Sequence, residues 1–145
     1  MRVRTVFAIA VAVGVGSFVL ASASAGPPPP ILLHVGVTHE QPTAGRLFTG
    51  LAFTPVGGAH ITQVACDAKV GQKKLRGRQQ RFYQDEGPPL VTCGWLIPAG
   101  AGGKRLHPLG DGKPGDGGRA FVFLDGPGGT QTTIGTPVLF WHVQP

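Results

Sequence analysis

The sequence is short of several side chains on which common functions depend. Serine occurs only at positions 17, 22 and 24, asparagine is absent, and the single methionine is Met1. Because no serine lies beyond position 24, the later part of the chain cannot assemble a Ser-His-Asp triad. Without asparagine, the chain has no acceptor for N-glycosylation. Glycine, alanine, proline, valine and arginine dominate instead, and we interpret this bias as that of a bacterial genome rich in G and C.

The first 25 residues have the pattern of a secretory signal peptide. Arg2 and Arg4 give a positive start, residues 6–21 are apolar and uncharged, and "ASA" at 23–25 is a small-residue cleavage site. The apolar run is shorter than the roughly 20 residues that span a bilayer. We expect a helical signal peptide over 1–25, cleavage after position 25, and a secreted, extracellular protein of the cell envelope. The alternative is an uncleaved segment that anchors the protein to the membrane.

Removal of the signal leaves 120 of the 145 residues, which is enough for one domain. Eleven lysines and arginines then stand against seven acidic residues, for a net charge of +4. The sequence "GPPPP" over 26–30 predicts a stiff proline-rich spacer, and the folded domain is expected over 31–145.

Cys66 and Cys93 are the only cysteines. An even number of cysteines in an exported chain favours one disulfide, and the alternative is two free thiols. A bridge that closes a loop of about 28 residues stabilises a domain by roughly 3.6 kcal/mol in the chain-entropy treatment. That is a large part of the roughly 5–15 kcal/mol of stability that small domains have.

Apolar residues alternate with other residues along most of 31–145, which predicts strands with one buried side. The sets expected to share a buried face are Leu33, Val35 and Val37; Leu47, Leu51 and Phe53; Val64, Cys66, Ala68 and Val70; Val91, Cys93, Trp95 and Ile97; Phe121 and Phe123; and Leu139, Trp141 and Val143. No stretch of this segment has a helical period of 3.6 residues. The fold class predicted is therefore all-β, an antiparallel β-sandwich of about seven strands.

The segments between the predicted strands contain residues that are typical of turns. The sequences at 54–60 and 124–130 contain the glycines and prolines that hairpin connections use. Residues 98–118 are so rich in glycine and proline that we predict a long, mobile surface loop there. Pro137 is expected to split the last strand or to place it at a sheet edge. Both cysteines lie on apolar faces, so the bridge is expected inside the sandwich with Trp95 beside it.

Two segments, "VACDAKVGQKKL" and "FYQDEGPPLVTCGWLIPAGAGGKRL", resemble short exported domains of high-GC Gram-positive (actinobacterial-type) bacteria, of the Ig-like or fibronectin-III-like β-sandwich type. The matching positions are Val64, Cys66, Ala68, Val70, Cys93, Trp95, Ile97, Pro98, Ala101, Gly103, Lys104 and Leu106. The resemblance covers residues 31–106 and implies an immunoglobulin-like sandwich, without implying an activity. The chain departs from antibody domains because Trp95 follows the second cysteine, so the strand order cannot be copied from them.

The sequence "KVGQKKLRGRQQR" contains six basic residues and no acidic one. The candidate anion-binding residues are Lys69, Lys73, Lys74, Arg76, Arg78 and Arg81. Such a run could bind an anionic cell-wall or extracellular polymer, and the adjoining Phe82 and Tyr83 could stack on its sugars. The alternative is a solvated strand edge, at which lysine and arginine discourage pairing with another chain.

No constellation in the sequence points to catalysis or to a metal. The five histidines are scattered, "HEQPT" at 39–43 lacks the second histidine of a zinc-protease motif, and "GDGKPGDGG" at 110–118 has only two carboxylates for a calcium ion. Nothing selects two of the seven acidic residues as a facing pair for glycoside hydrolysis. We expect no catalytic residues, no metal and no cofactor.

The expected function is that of a secreted, non-catalytic β-sandwich module that binds a ligand or has a structural role at the cell surface. The first alternative is binding of an anionic polymer through the basic run, and the second is a small extracellular hydrolase. The expected partner is an anionic cell-envelope polymer or another surface protein. Nucleic acid is not expected, and contact with a membrane is expected only through an uncleaved signal segment.

Overall fold

The structure is a computed structural model that describes residues 6–11, 18–23, 31–110 and 117–145. The chain divides into two compact units, Met1–Pro30 and Ile31–Pro145. In the first unit, strands β1 (Val6–Val11) and β2 (Phe18–Ala23) pair in antiparallel fashion. The signal-peptide helix and the proline-rich spacer fall largely on residues outside the described ones, and both stay predictions. Among the described residues, no helix has the length and apolar character needed to cross a bilayer.

The described part of the second unit contains eleven strands. They are β3 (Leu32–Val37), β4 (Leu47–Val56), β5 (His60–Ala65), β6 (Asp67–Val70), β7 (Lys73–Leu75), β8 (Arg78–Phe82), β9 (Leu90–Leu96), β10 (Arg105–Gly110), β11 (Phe121–Asp125), β12 (Gln131–Gly135) and β13 (Trp141–His142). Two single-turn 3-10 helices, Ala99–Ala101 and Pro127–Gly129, complete the unit. The all-β fold predicted from alternation is confirmed.

The strands form three antiparallel sheets in a sandwich-like arrangement. Sheet 1 has the order β3-β4-β9-β8, sheet 2 has β12-β11-β5, and sheet 3 has β13-β10-β6-β7. The strand number exceeds the expected seven because single sequence runs are divided between sheets. The run 60–70 passes from sheet 2 to sheet 3 at Cys66, and the run 73–82 passes from sheet 3 to sheet 1 at Gly77.

Most of the apolar faces predicted from alternation form the core; on β11, however, Val122 and Leu124 are buried, whereas Phe121 and Phe123 are only half-buried on the other side. The fully buried large side chains include Trp95, Phe53 and Leu51 of sheet 1 and Leu106 of sheet 3. The prediction for Leu47 was wrong, because this side chain is 53% exposed. A β-bulge between Thr49 and Leu51 shifts the register against β9, so that Phe48 points inward in place of Leu47.

The disulfide lies inside the sandwich, as expected. Cys66 and Cys93 are bonded, with their Cα atoms 6.6 Å apart, and both are buried. The bridge therefore ties β9 of sheet 1 to the junction of β5 and β6. Trp95 lies beside it and is 0% exposed, and its indole Nε1 donates a hydrogen bond of 2.7 Å to the carbonyl oxygen of Cys66.

Two of the expected connections differ in the structure. Residues 54–60 join β4 to β5, which lie in different sheets, so this turn is not a hairpin, whereas 124–130 connects the paired strands β11 and β12. The segment 98–118, predicted as a loop, contains a 3-10 turn and the strand β10. Leu106 and Pro108 are buried on the inner side of β10, and residues 111–116 lie outside the described residues.

Candidate functional site

The six candidate anion-binding residues do not lie on one surface. Lys69 is on β6, Lys73 and Lys74 are on β7, Arg76 precedes the crossing between the sheets, and Arg78 and Arg81 are on β8. Since β7 is an edge of sheet 3 and β8 an edge of sheet 1, this run follows two open edges of the sandwich. Lysine and arginine at such edges oppose pairing with another chain.

The basic run is divided between two sheets at Gly77, where the chain passes from sheet 3 to sheet 1 beside the disulfide. A Cβ atom at this position would lie 2.7 Å from both the carbonyl oxygen and the Sγ of Cys66. The backbone N–H of Gly77 donates a 2.9 Å hydrogen bond to Oδ1 of Asp67. The crossing therefore needs a residue without a side chain, and Asp67 holds it in place.

Arg81 has a structural role at the edge strand β8. On β8, Gln79 and Arg81 stand opposite Cys93 and Val91, whose side chains are buried. Arg81 Nη2 donates a 3.1 Å hydrogen bond to the carbonyl oxygen of Ile61, and Gln79 makes a similar contact with β5. These two side chains link sheet 1 to sheet 2, so we leave Arg81 out of the candidate site.

Lys69 and Lys74 come together with a residue that the basic run does not contain. Lys69 stands directly opposite Lys74 on β7 and directly opposite His107 on β10. Side chains at directly opposite positions of antiparallel strands have Cβ atoms roughly 4.5–5.5 Å apart. The neighbours Ala68, Val70 and Leu106 are buried, which places this row on the outer side of sheet 3.

A second basic pair extends the row toward β13. Arg105 precedes His107 by two positions on β10, so both face outward, and it stands opposite His142 on β13. The guanidinium carbon of Arg105 lies 4.4 Å from the ring centre of Phe140, and the ring of Phe140 meets that of His142 edge-on at 5.6 Å. We call the set Lys69, Lys74, Arg105, His107 and His142 the basic face.

The surroundings of His107 on the basic face shift its pKa. Burial lowers the pKa of His107 below the ordinary value for histidine, and the positive charges of Lys69 and Arg105 lower it further. In the absence of a bound anion, these surroundings therefore favour the neutral form of the imidazole.

A depression of about 280 Å³ lies next to His107 on this face. Its walls combine Arg105 and His107 with the apolar segment Val138–Phe140. Two hydrogen bonds fix that segment: Leu139 N donates to the carbonyl oxygen of Gly118 at 2.6 Å, and Gly118 N donates to that of Pro108 at 2.7 Å. Gly118 has φ +85°, and a Cβ atom there would meet Val138 at 2.7 Å, so close contact requires glycine.

A larger, polar depression of about 470 Å³ lies on the outer side of sheet 2. Thr62, Gln63, Phe123, Asp125 and Gln131 are among its lining residues, with Asp125 as its carboxylate. Hydrolysis of a glycosidic bond by the usual mechanism needs two facing carboxylic groups. The described lining of this depression provides one.

The described residues contain no group of three or more His, Cys, Asp and Glu side chains that could hold a metal ion. The two carboxylates of the sequence resembling a calcium loop, Asp111 and Asp116, lie outside the described residues.

Sequence reasoning found Lys69 and Lys74 but missed Arg105, His107, Phe140 and His142 as members of one surface. Both Arg105 and His107 fall in the segment 98–118, for which the high content of glycine and proline predicts a loop. The signal that could have identified β10 is the alternation in "RLHPLG", where Leu106 and Pro108 share one side.

Comparison with known proteins found no matching family model, no matching curated protein and no matching solved structure. The function must therefore be argued from the fold and the basic face.

Proposed function

We propose that this protein is a secreted, non-catalytic β-sandwich module that binds an anionic polymer of the cell surface through its basic face. The observation that carries this proposal is the row Lys74–Lys69–His107 across three strands, extended by Arg105. Basic side chains on adjacent strands of one sheet face match an extended polyanion better than a compact ligand. The attraction of such a row for a polymer is non-specific in sequence and sensitive to salt.

The buried disulfide supports the extracellular part of the proposal, since disulfides persist in oxidising compartments. The cleaved signal peptide, the bacterial origin and the Ig-like or fibronectin-III-like type belong to the same proposal. The last two are supported by the resemblance of the segments that carry Cys66 and Cys93 to exported bacterial domains. Absence of a catalytic centre is likewise proposed, and a screen for turnover on cell-wall glycans would contradict it by detecting hydrolysis.

The test compares two variants that lose the same net charge. In K69Q/R105Q the charges are removed from the basic face, whereas in R46Q/R78Q they are removed from exposed positions on or next to sheet 1. One basic residue near an anionic surface contributes about 1 kcal/mol, so K69Q/R105Q should weaken binding to poly(glycerol phosphate) about 30-fold. The control pair should bind within about 3-fold of wild type.

Binding is to be measured by isothermal titration calorimetry over a series of salt concentrations. The logarithm of the affinity should fall linearly with the logarithm of the salt concentration, with a smaller slope for K69Q/R105Q. An affinity that does not depend on salt, or equal losses in the two double variants, would contradict the proposal.

A further inference from the structure

The surroundings of His107 differ from those of the other basic-face residues. Lys69 and Arg105 lie on two sides of its imidazole, and the apolar segment Val138–Phe140 forms a wall next to it. The ring is half-buried, whereas Lys74 and His142 are exposed. A group that enters the depression therefore meets Arg105 and His107 on one side and hydrocarbon on the other, and Lys69 stands next to His107 on the neighbouring strand.

Arg105 is held in position before any ligand arrives. Its guanidinium lies over the ring of Phe140 at 4.4 Å, and a cation on an aromatic face is attracted by the ring quadrupole. The planar guanidinium presents paired N–H donors that match two oxygens of a phosphate group. Because Arg105 is already oriented, less conformational entropy is lost when an anion binds.

We propose that Arg105, His107 and Lys69 form a subsite for one phosphodiester group of the anionic polymer, and that this group binds together with a proton on His107. The inference rests on the proposed function, since it assigns the class of anion and the chemistry of one position on the same face. A phosphodiester fits because its two non-bridging oxygens match the paired donors of Arg105, and a second lone pair of one of them can accept a hydrogen bond from protonated His107. The single negative charge of a phosphodiester does not change above about pH 3. Any pH dependence of binding must therefore come from a proton that binds to the protein.

Electrostatics gives the reason for the coupling. In the free protein, protonation of His107 adds a third positive charge beside Lys69 and Arg105, and burial opposes it as well. A phosphodiester between the three groups offsets the positive charge of Lys69 and Arg105 and thus favours the protonated imidazole. By linkage, protonation of His107 raises the affinity for the anion by the same factor by which the bound anion raises the affinity of His107 for a proton.

The other charged groups near His107 are placed differently from Lys69 and Arg105. On β6, Asp67 accepts a hydrogen bond from Gly77 N, which directs its carboxylate to the sheet edge. On β7, Lys74 lies beyond Lys69, and on β13, His142 stands opposite Arg105 and is exposed. The segment Val138–Phe140 contributes no titratable group.

The affinity should therefore rise as the pH falls through the pKa of His107 in the complex, and should level off below its pKa in the free protein. If the phosphodiester raises the pKa by about one unit, the gain between pH 7.5 and pH 5 is about 10-fold. The affinity for poly(glycerol phosphate) is to be measured at constant ionic strength across this range for wild type, H107Q and H60Q. His60 lies on β5 of sheet 2, so H60Q controls for the loss of a distant imidazole.

Wild type and H60Q should show the 10-fold gain, whereas H107Q should lose most of it. The NMR titration of the His107 Cε1–H should move to higher pH when polymer is added. A pH gain that survives in H107Q, or a His107 titration that does not move, would overturn the inference. Salt-sensitive binding with no pH dependence would overturn it and leave the proposed function intact, whereas absence of binding at every pH would remove both.

Phosphodiesters also occur in lipid headgroups, so a second arm uses vesicles of phosphatidylglycerol at the same phosphate concentration. Binding to the polymer that strengthens at low pH, together with no binding to the vesicles, supports the polymer as the source of the phosphodiester. Proton-linked binding to vesicles alone would overturn the polymer as the source.

Discussion

Replacing Trp95 by phenylalanine tests how the core is tied to the disulfide. The indole Nε1 of Trp95 donates a 2.7 Å hydrogen bond to the carbonyl oxygen of Cys66 in the fully buried interior. Phenylalanine leaves that oxygen without this donor, at a cost of about 1–3 kcal/mol. The smaller ring also leaves a cavity, for which we add about 1–2 kcal/mol. W95F should thus lower the free energy of unfolding by about 2–5 kcal/mol.

Trp141 provides the matched control, because W141F removes the same atoms from the same aromatic cluster. Trp95 and Trp141 have ring centres 5.7 Å apart. The indole of Trp141, however, donates at 3.4 Å to the carbonyl oxygen of Thr38, so less hydrogen bonding is lost. The assay is urea unfolding with the disulfide intact, followed by the fluorescence of the remaining tryptophan. Equal stability of the two variants, or a loss below about 0.5 kcal/mol in W95F, would refute the reasoning.

Further predictions concern the bridge and the crossing beside it. C66A/C93A should lose about 3.6 kcal/mol of stability by the chain-entropy treatment; an unchanged midpoint in urea would contradict a structural role for the bond. Gly77→Ala should destabilise the domain by about 2 kcal/mol or more, because its Cβ atom would meet backbone and sulfur of Cys66 at 2.7 Å. Gly100→Ala is the control, since no atom lies within 4 Å of its added Cβ, and its melting temperature should stay close to that of wild type.

Alternation in the sequence predicted most of the core because each buried set follows the period of a strand. It failed at Leu47, because the bulge at Gly50 adds one residue and exchanges the two faces. Gly50 is required there: a Cβ atom would lie 2.8 Å from the ring of Trp95 and 3.1 Å from that of Trp141. A bulge depends on what packs across the sheet, and a period within one strand does not contain that information.

The basic face was predicted only in part for a similar reason. Lys69 and Lys74 are close in sequence, and their hairpin brings them together. His107 joins them only because β10 pairs with β6, and Arg105 is oriented only because Phe140 lies next to it. Such neighbours follow from the strand order, which the two cysteines and the alternation could not specify.

Chemical-shift mapping of the backbone amides during titration with poly(glycerol phosphate) tests the central claim most directly. Binding to the basic face predicts the largest shifts on the adjacent strands β6, β7 and β10, at Lys69, Lys74 and His107, and loss of these shifts in high salt. Shifts centred on the outer side of sheet 1 or sheet 2, with β6 and β10 unaffected, would contradict the claim that the basic face binds the polymer.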